Sequence, residues 1–467
     1  MKVDGKTPLL RQASLTAAVS IAAVAVSAQT LAPQETGHDL VLDVSTGFYG
    51  YDNYEYIADP LGTTSLWGTD FVLSYSTETR TETFAFDAGI RFEYGDYAEQ
   101  PDLTSQWINP FAIVDYTREG TNSLFHVNLS YRERENGIEL VNDFLTSNDL
   151  IVDQGTRSNA RIDVDLALGR DTPTFFEAGL YYDQQRYFDT TNPNLSDEDT
   201  FGVEAELGLA IARNASLIGT ASYYVRDDLE DINDDEEHSS VGVGVQGDLA
   251  PDLLFRGVLN YNWDVRTYTD GDDRVEKLTQ GPTLDLLFVK DRPNGAVSLA
   301  LYGELDSNGT RTTMTLGRDF ELPRGQLDFT AGATLLSDGS ISPVGTVHWE
   351  RDYRTRALVL DYSSSVETDY DGADFLRNSL SFSFQQELTS LDGLLLDMSI
   401  YSADDVEGGD SQERQASVNV SYYRDINRDL SLVMGYRYSY YDDADPNDTV
   451  NANEIFARID KSFSLRP

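Results

Sequence analysis

Beyond residue 38, apolar and polar positions alternate with a period of two, the mark of a strand whose two faces meet different surroundings. Leu327, Phe329, Ala331, Ala333 and Leu335 fall on one face, and Asp328, Thr330, Gly332 and Thr334 on the other. Phe125, Val127, Leu129 and Tyr131 stand against His126, Asn128 and Ser130. Ile162, Val164, Leu166 and Leu168 stand against Asp163, Asp165 and Ala167. Leu430, Leu432, Met434, Tyr436, Tyr438 and Tyr440 stand against Ser431, Gly435, Arg437 and Ser439. The segments run to roughly 11–15 residues, where ordinary strands have about 5–6 and a tilted membrane strand needs about 9–11.

The connections alternate as well. Short turns lie near Thr79-Arg80, Glu119-Gly120, Asp171-Thr172-Pro173, Arg213-Asn214 and Ala250-Pro251-Asp252. More follow near Arg292-Pro293-Asn294, Leu322-Pro323-Arg324, Tyr353-Arg354, Ser390-Leu391 and Asn427-Arg428. Between them come mostly longer, acidic connections: 51–64, 95–104, 136–152, 189–199, 227–238, 269–274, 367–374, 404–413 and 442–450. A soluble sandwich has no reason to keep its long loops on every second connection, whereas a membrane barrel has short turns on one side and long loops on the other. The pattern predicts an all-β fold, a transmembrane antiparallel up-and-down β-barrel of about 22 strands (roughly 18–22). Even parity returns both termini to the short-turn side, which in such barrels is periplasmic.

The chain has 467 residues and a net charge of -46, with no cysteine, 27 Tyr and 21 Phe. Its mean hydropathy of -0.39 rules out a helical bundle, whose spans need about 20 apolar residues each. A barrel survives, because only every second residue faces lipid. The absence of cysteine removes disulfides, thiolate catalysis and zinc-thiolate sites. The acidity makes nucleic acid a poor partner. Tyrosine and phenylalanine pairs near strand ends, such as Tyr181-Tyr182 and Tyr440-Tyr441, suit aromatic girdles at the membrane interface. Residues 1–28 read as a secretory signal peptide: Lys2, Lys6 and Arg11, an apolar or small run from Leu15 to Val26, then Val26-Ser27-Ala28 as a cleavage site. Residues 29–467 are then a single barrel domain. An N-terminal membrane anchor is the alternative for the leader, and a secreted acidic all-β protein is the alternative for the whole.

Two local features carry a family resemblance. Arg-Asp recurs at strand ends, as Gly169-Arg170-Asp171, Glu350-Arg351-Asp352 and Tyr423-Arg424-Asp425. The last strand, Glu454–Phe463, ends in an aromatic with apolar residues at alternate positions before it, interrupted by Lys461. In this the chain resembles Gram-negative outer-membrane β-barrel proteins, and in overall pattern the β-barrel porin families, some of them linked to exopolysaccharide loci. The resemblance implies an outer-membrane location and makes Phe463 the assembly signal read by the barrel assembly machinery. It also implies contact with outer-membrane lipid and lipopolysaccharide.

The four histidines, His38, His126, His238 and His348, show no convergence with a nucleophile, so no catalytic residue and no enzyme activity are expected. The acidic run 227–237 imitates a calcium loop at Asp231, Asn233 and Asp235, but Glu236 replaces the required glycine and Gly242 the closing glutamate. It reads as a solvated loop, and neither metal nor cofactor is expected. Arg91, Arg132, Arg161, Asp163, Asp165, Glu204, Glu206, Arg256, Asp397 and Arg437 fall on polar strand faces and are expected to line the lumen. The connection 136–152 is apolar for a loop, and Ile138, Leu140, Phe144 and Leu145 are candidates for a constriction folded into the pore, the alternative being that the segment packs over the rim or extends the adjoining strands. The expected function is a channel for diffusion or export of hydrophilic solutes, possible cargo including polysaccharide, with weak cation selectivity from a net acidic lumen. A plugged active transporter is disfavoured, because only about ten residues separate the cleavage site from the first strand. A non-conducting barrel that anchors surface loops for adhesion is the alternative.

Overall fold

The computed structural model describes residues 37–464 apart from 55, 58–59, 61, 99–101, 136–154, 171, 173, 191–196, 230–234, 271–272, 307, 369–373, 407–411 and 444–448. The signal peptide 1–28, the loop candidates Ile138, Leu140, Phe144 and Leu145, and the calcium-loop residues Asp231 and Asn233 lie outside the described residues.

The described chain is strand throughout. The first eight are β1 (Gly37–Tyr51), β2 (Thr64–Glu78), β3 (Glu82–Asp96), β4 (Ser105–Glu119), β5 (Ser123–Glu135), β6 (Thr156–Leu168), β7 (Phe175–Phe188) and β8 (Glu198–Ala212). Then come β9 (Ala215–Asp228), β10 (Asp235–Ala250), β11 (Leu253–Asp270), β12 (Asp273–Arg292), β13 (Gly295–Asp306), β14 (Gly309–Leu322) and β15 (Gly325–Leu335). The last seven are β16 (Ile341–Asp352), β17 (Arg356–Thr368), β18 (Asp374–Glu387), β19 (Asp392–Asp405), β20 (Gln412–Asn427), β21 (Leu430–Asp443) and β22 (Val450–Ser464). Each pairs antiparallel with its neighbours in sequence, and β1 pairs with β22 from Val41↔Ser464 to Tyr51↔Glu454. The sheet is therefore a closed 22-stranded antiparallel barrel. With strands about 4.8 Å apart and tilted about 40°, the wall encloses a cylinder roughly 40 Å across.

The short turns form one rim and the longer connections the other, as the sequence pattern predicts. On the longer rim 307–308 and 336–340 are short, as the sequence near Ser307-Asn308 and Asp338-Gly339 already indicates, and one further connection differs from the expectation. The segment 269–274 counts among the longer ones in the sequence, yet β11 and β12 extend toward each other and leave only 271–272 between them. The ladder runs to the tip, pairing Thr269 with Arg274 and Asp270 with Asp273, although every residue of the segment is polar or glycine. Two short turns show their chemistry plainly. In Pro293-Asn294-Gly295 and Pro323-Arg324-Gly325, proline presets φ for the first turn position. The glycine then takes a positive φ, 124° and 135°. A Cβ there would sit 2.0 Å from a neighbouring carbonyl oxygen.

Which face points inward is decided by contacts between strands that are not neighbours. Arg256 on β11 grips Glu206 on β8 through two hydrogen bonds of 2.7 Å. Two strands lie between them, so the contact is a chord across the concave side. The register then assigns every other residue. Outward-facing positions include Leu129, Ile162, Leu207, Val243, Leu259, Met314 and Leu316, all exposed. An apolar band that wraps a whole molecule is unstable in water and is the surface a bilayer covers.

Aromatic residues mark the edges of this band. Near the short-turn rim stand Phe125, Phe176, the Phe255–Phe288 pair and the Phe320–Phe329 pair. Toward the other rim, outward tyrosines turn their hydroxyls to polar partners. Tyr131 donates to Glu133 at 2.9 Å, Tyr440 to Asp442 at 3.0 Å, Tyr438 to Asn451 at 2.7 Å and Tyr362 to Asn378 at 3.2 Å. The ring lies in the apolar layer while its tip reaches the polar one, as interface aromatics do. Six residues separate Phe125 from Tyr131 on β5, a rise of roughly 15 Å for a tilted strand. Above the tyrosines the strands continue for several residues, so the long-loop rim stands clear of the membrane.

Val243 sits in mid-band and is 56% exposed. Val243→Arg is expected to destabilise the barrel by about 2–4 kcal/mol, measured by denaturant titration in lipid vesicles. The same change at the inward-facing Ser240, on the same strand, is expected to cost less than about 1 kcal/mol, because its charge meets water.

Candidate functional site

The inner wall is built from residues at alternate positions, and their neighbours in space come from the ladder register. The ten charged residues singled out in the sequence all lie on this inner face. They form two groups and some isolated members. Arg161 on β6 binds Asp163 at 2.7 Å and approaches Asp183 on β7 at 3.7 Å. Asp165 faces His126, whose other nitrogen is 2.8 Å from Asp115. The same row continues through Gly179 to Glu204. Glu206 belongs to the chord with Arg256. On the other side of the barrel, Arg437 binds Glu454 at 3.1 Å, while Asp397 accepts from Ser383 at 2.8 Å.

Arg91 is held by Asp70 at 3.6 Å and Glu93 at 2.7 Å, and its guanidinium lies 4.3 Å over the Tyr49 ring. Arg132 borders a recess of about 280 Å³ with Asp70, Val72, Arg91, Phe111 and Ile113. Arg91, Arg161 and Arg256 are thus latched to carboxylates, which fixes them as parts of a charged lattice on β3–β12. Where the wall must cross itself, small residues make room. Thr220 on β9 reaches Asn260 on β11 at 3.2 Å over Gly242. A Cβ at Gly242 would lie 2.0 Å from the Asn260 oxygen and 2.3 Å from the Thr220 oxygen.

One element of the site was not singled out in the sequence. The β1–β2 connection folds into the mouth. Asn53 is almost wholly buried; its amide donates to the Ile57 carbonyl at 2.7 Å and the Asn451 carbonyl at 3.0 Å. Tyr54 donates to Glu93 at 2.8 Å, lies 3.3 Å from Glu135 on β5, and receives Gln106 at 3.2 Å. Burial, with the Glu93 and Glu135 carboxylates, pushes the Tyr54 phenol well above its ordinary pKa, so it stays a donor. Tyr51 and Tyr97 pack edge-on against its ring at 5.1 and 5.5 Å. Tyr56 packs on the other side with Tyr441, Val450 and Ala452. The connection therefore spans from β21–β22 across the seam to β5 and narrows the mouth on that side. The tyrosine density of 49–56 was the signal available in the sequence.

Phe463 faces outward opposite Leu42 and is 46% exposed. Lys461 beside it stands 5.4 Å from the Phe463 ring and 3.5 Å from Asp429, so its stem lies along the apolar face while its charge reaches the rim.

No protein-family model matches this chain, and no curated protein matches it in sequence. Solved structures do match it in shape. It is similar to the FrpB iron transporter of Neisseria meningitidis, with TM-score 0.59 and 8% identity, over 91% of this chain and 81% of that one. It is similar to the ferric enterobactin receptor PfeA of Pseudomonas aeruginosa, with TM-score 0.53 and 10% identity, over 92% and 82%. It is similar to the siderophore receptor PirA of Acinetobacter baumannii, with TM-score 0.52 and 8% identity, over 92% and 81%. The shared property is the fold: a closed antiparallel all-β barrel of the kind that outer-membrane receptors have.

Arg256→Ala leaves Glu206 mostly buried without its cation. It is expected to cost about 3 kcal/mol in unfolding free energy, and the double change with Glu206→Ala is expected to recover at least half. A double-mutant cycle in detergent-refolded protein checks this.

Proposed function

We propose that this chain is an outer-membrane channel that passes hydrophilic solutes by steric sieving in the field of its wall charges. The observation that supports this best is the wide polar-walled barrel narrowed at one mouth by the β1–β2 connection. In this reading both termini are periplasmic, the long-loop rim faces outward, lipopolysaccharide meets the outer tyrosine girdle, and Phe463 is read by the assembly machinery. Residues 1–28 are the signal peptide, and Ile138, Leu140, Phe144 and Leu145 remain candidates for a second constriction. The ten charged wall residues steer ions, with the net acidic wall favouring cations.

A second reading, a receptor for an iron chelate, is favoured by the names of the similar structures, which are iron and siderophore receptors. Planar-bilayer recording separates the two. Stable conductance steps support the channel; a silent bilayer together with tight binding of a ferric siderophore supports the receptor.

Two further results are expected of the channel. Tyr54→Ala frees the connection from Glu93 and Glu135 and raises single-channel conductance by at least a third. In a salt gradient the reversal potential has the sign of cation preference, and Asp163→Asn with Glu204→Gln moves it toward zero. A chloride-selective wild type would overturn the charge assignment.

A further inference from the structure

Several strands reach the short-turn rim with a cation and a carboxylate at consecutive positions. These are Arg118-Glu119 on β4, Lys290-Asp291 on β12, Arg318-Asp319 on β14, Arg351-Asp352 on β16, Arg424-Asp425 on β20 and Asp460-Lys461 on β22. Consecutive residues of a strand point to opposite faces, and the register says which. Arg256 faces the lumen, and so does its partner Leu287 on β12. Three positions further on, Lys290 therefore faces lipid and Asp291 faces the pore. Carried round the ladders, the same count turns the cation outward and the carboxylate inward in every one of these pairs. The Arg-Asp pattern at strand ends thus sorts charge radially, with cations toward the bilayer and anions toward the water of the pore.

An aromatic stands two positions from each cation, on the same outward face: Tyr116, Phe288, Phe320, Trp349, Tyr422 and Phe463. The Arg318 guanidinium lies 4.3 Å over the Phe320 ring, as the Lys461 ammonium lies near that of Phe463. Such rings mark the edge of the apolar band. A long cationic side chain at this depth lays its stem on apolar surface and brings its charge to the headgroup layer.

The protein gives these cations weak partners. Arg118 is 3.5 Å from Glu82, Lys290 is 3.6 Å from Asp252, and Lys461 is 3.5 Å from Asp429. Arg318 donates to two neutral oxygens, Asn294 Oδ1 at 2.8 Å and the Ala296 carbonyl at 3.0 Å. Ion pairs of this length at a solvated rim hold a charge only loosely, which leaves it free to meet a second anion.

The outward face of the long-loop rim has the opposite balance. There Glu133, Asp199, Glu237, Glu276, Asp404 and Asp442 outnumber Arg186, Arg274 and Arg414. The apolar band separates the two rims by more than the roughly 8 Å over which physiological salt screens charge. Each rim therefore meets its own leaflet, and the net charge of -46 does not decide what the short-turn rim attracts.

We propose that the outward cations along the arc from β12 through β22 to β4 form a belt that binds the phosphates of anionic glycerophospholipids in the leaflet at the short-turn rim. On β8 and β10 no such pair occurs, and Ile211 and Leu249 carry the apolar face down to the turns, so the belt is an arc and not a ring. It favours one orientation of the barrel, because inversion would set the acidic rim against the anionic headgroups. The proposal rests on the membrane barrel and not on the channel reading.

The test reconstitutes the protein in phosphatidylcholine vesicles with spin-labelled lipids, whose motionally restricted share reports association with the barrel. Spin-labelled phosphatidylglycerol is expected to associate about threefold more strongly than spin-labelled phosphatidylcholine. The quadruple variant Lys290→Gln, Arg318→Gln, Arg351→Gln, Arg424→Gln is expected to bring the two lipids near equality, while Arg274→Gln on the other rim keeps the wild-type preference. Should the quadruple variant fail to give the heat-modifiable gel shift of a folded barrel, Lys290→Gln with Arg424→Gln serves, with the preference about halved. Sodium phosphate and sodium chloride at equal ionic strength are expected to weaken the preference alike. Stronger competition by phosphate would assign the cations to the free anion and overturn the lipid. Equal association of the two lipids with the wild type, or a preference that survives in the variants, would overturn the belt. Planar-bilayer conductance reads the channel separately, so either reading can fail alone.

Discussion

A bilayer offers a peptide group no hydrogen bonds, and leaving one unmet there costs several kcal/mol. A sheet that enters lipid must therefore have no edge. Here the closing pair is β1 with β22, and it is reinforced at each end. Ser45 bonds Asp460 and Ser462 bonds Asp43 toward the short-turn rim, while Asp52 takes the Asn453 backbone and side-chain amides at 2.7 and 2.6 Å near the other. Everything else follows from closure. Once the wall is a cylinder, one face of every strand meets lipid and the other meets the lumen, and a one-residue slip would exchange them along the whole strand.

The β1–β2 connection belongs to the same logic. It starts at the seam, and its residues bond to β22 on one side and to β3 and β5 on the other. A segment that narrows the mouth is thus also a clasp over the closing pair.

Most of the architecture was legible before any coordinates, because a barrel writes its geometry into period and parity. Alternation such as Phe125–Tyr131 gave the faces, and the two kinds of connection gave the rims. The exception at 269–274 shows the limit: acidic residues are common both in loops and in strand ends that project into water, so charge alone misplaced that boundary. The site was less legible. A strand face is readable locally, and so Arg256 and Glu206 could be placed on the same wall. That they meet over two intervening strands depends on curvature and stagger, which no short window of sequence contains. Asp115 beside His126 is a nearer case: the two sit on the adjacent strands β4 and β5 and meet diagonally through their register.

The contrast between the two halves of the wall has a physical sense. In a wide lumen with many charged side chains an arginine held in place loses rotamer entropy, which its attraction to a carboxylate must offset. The Arg161–Asp163 and Arg256–Glu206 pairs do this, and a large part of that wall is consequently rigid and spoken for. Short hydroxyls on the opposite part of the wall need no such restraint: they project little and bond one another in pairs, several of them buried among their neighbours. The tilt that closes the barrel also sets the stagger by which Arg256 on β11 reaches Glu206 on β8, so the charged lattice is a consequence of the way the wall is sealed.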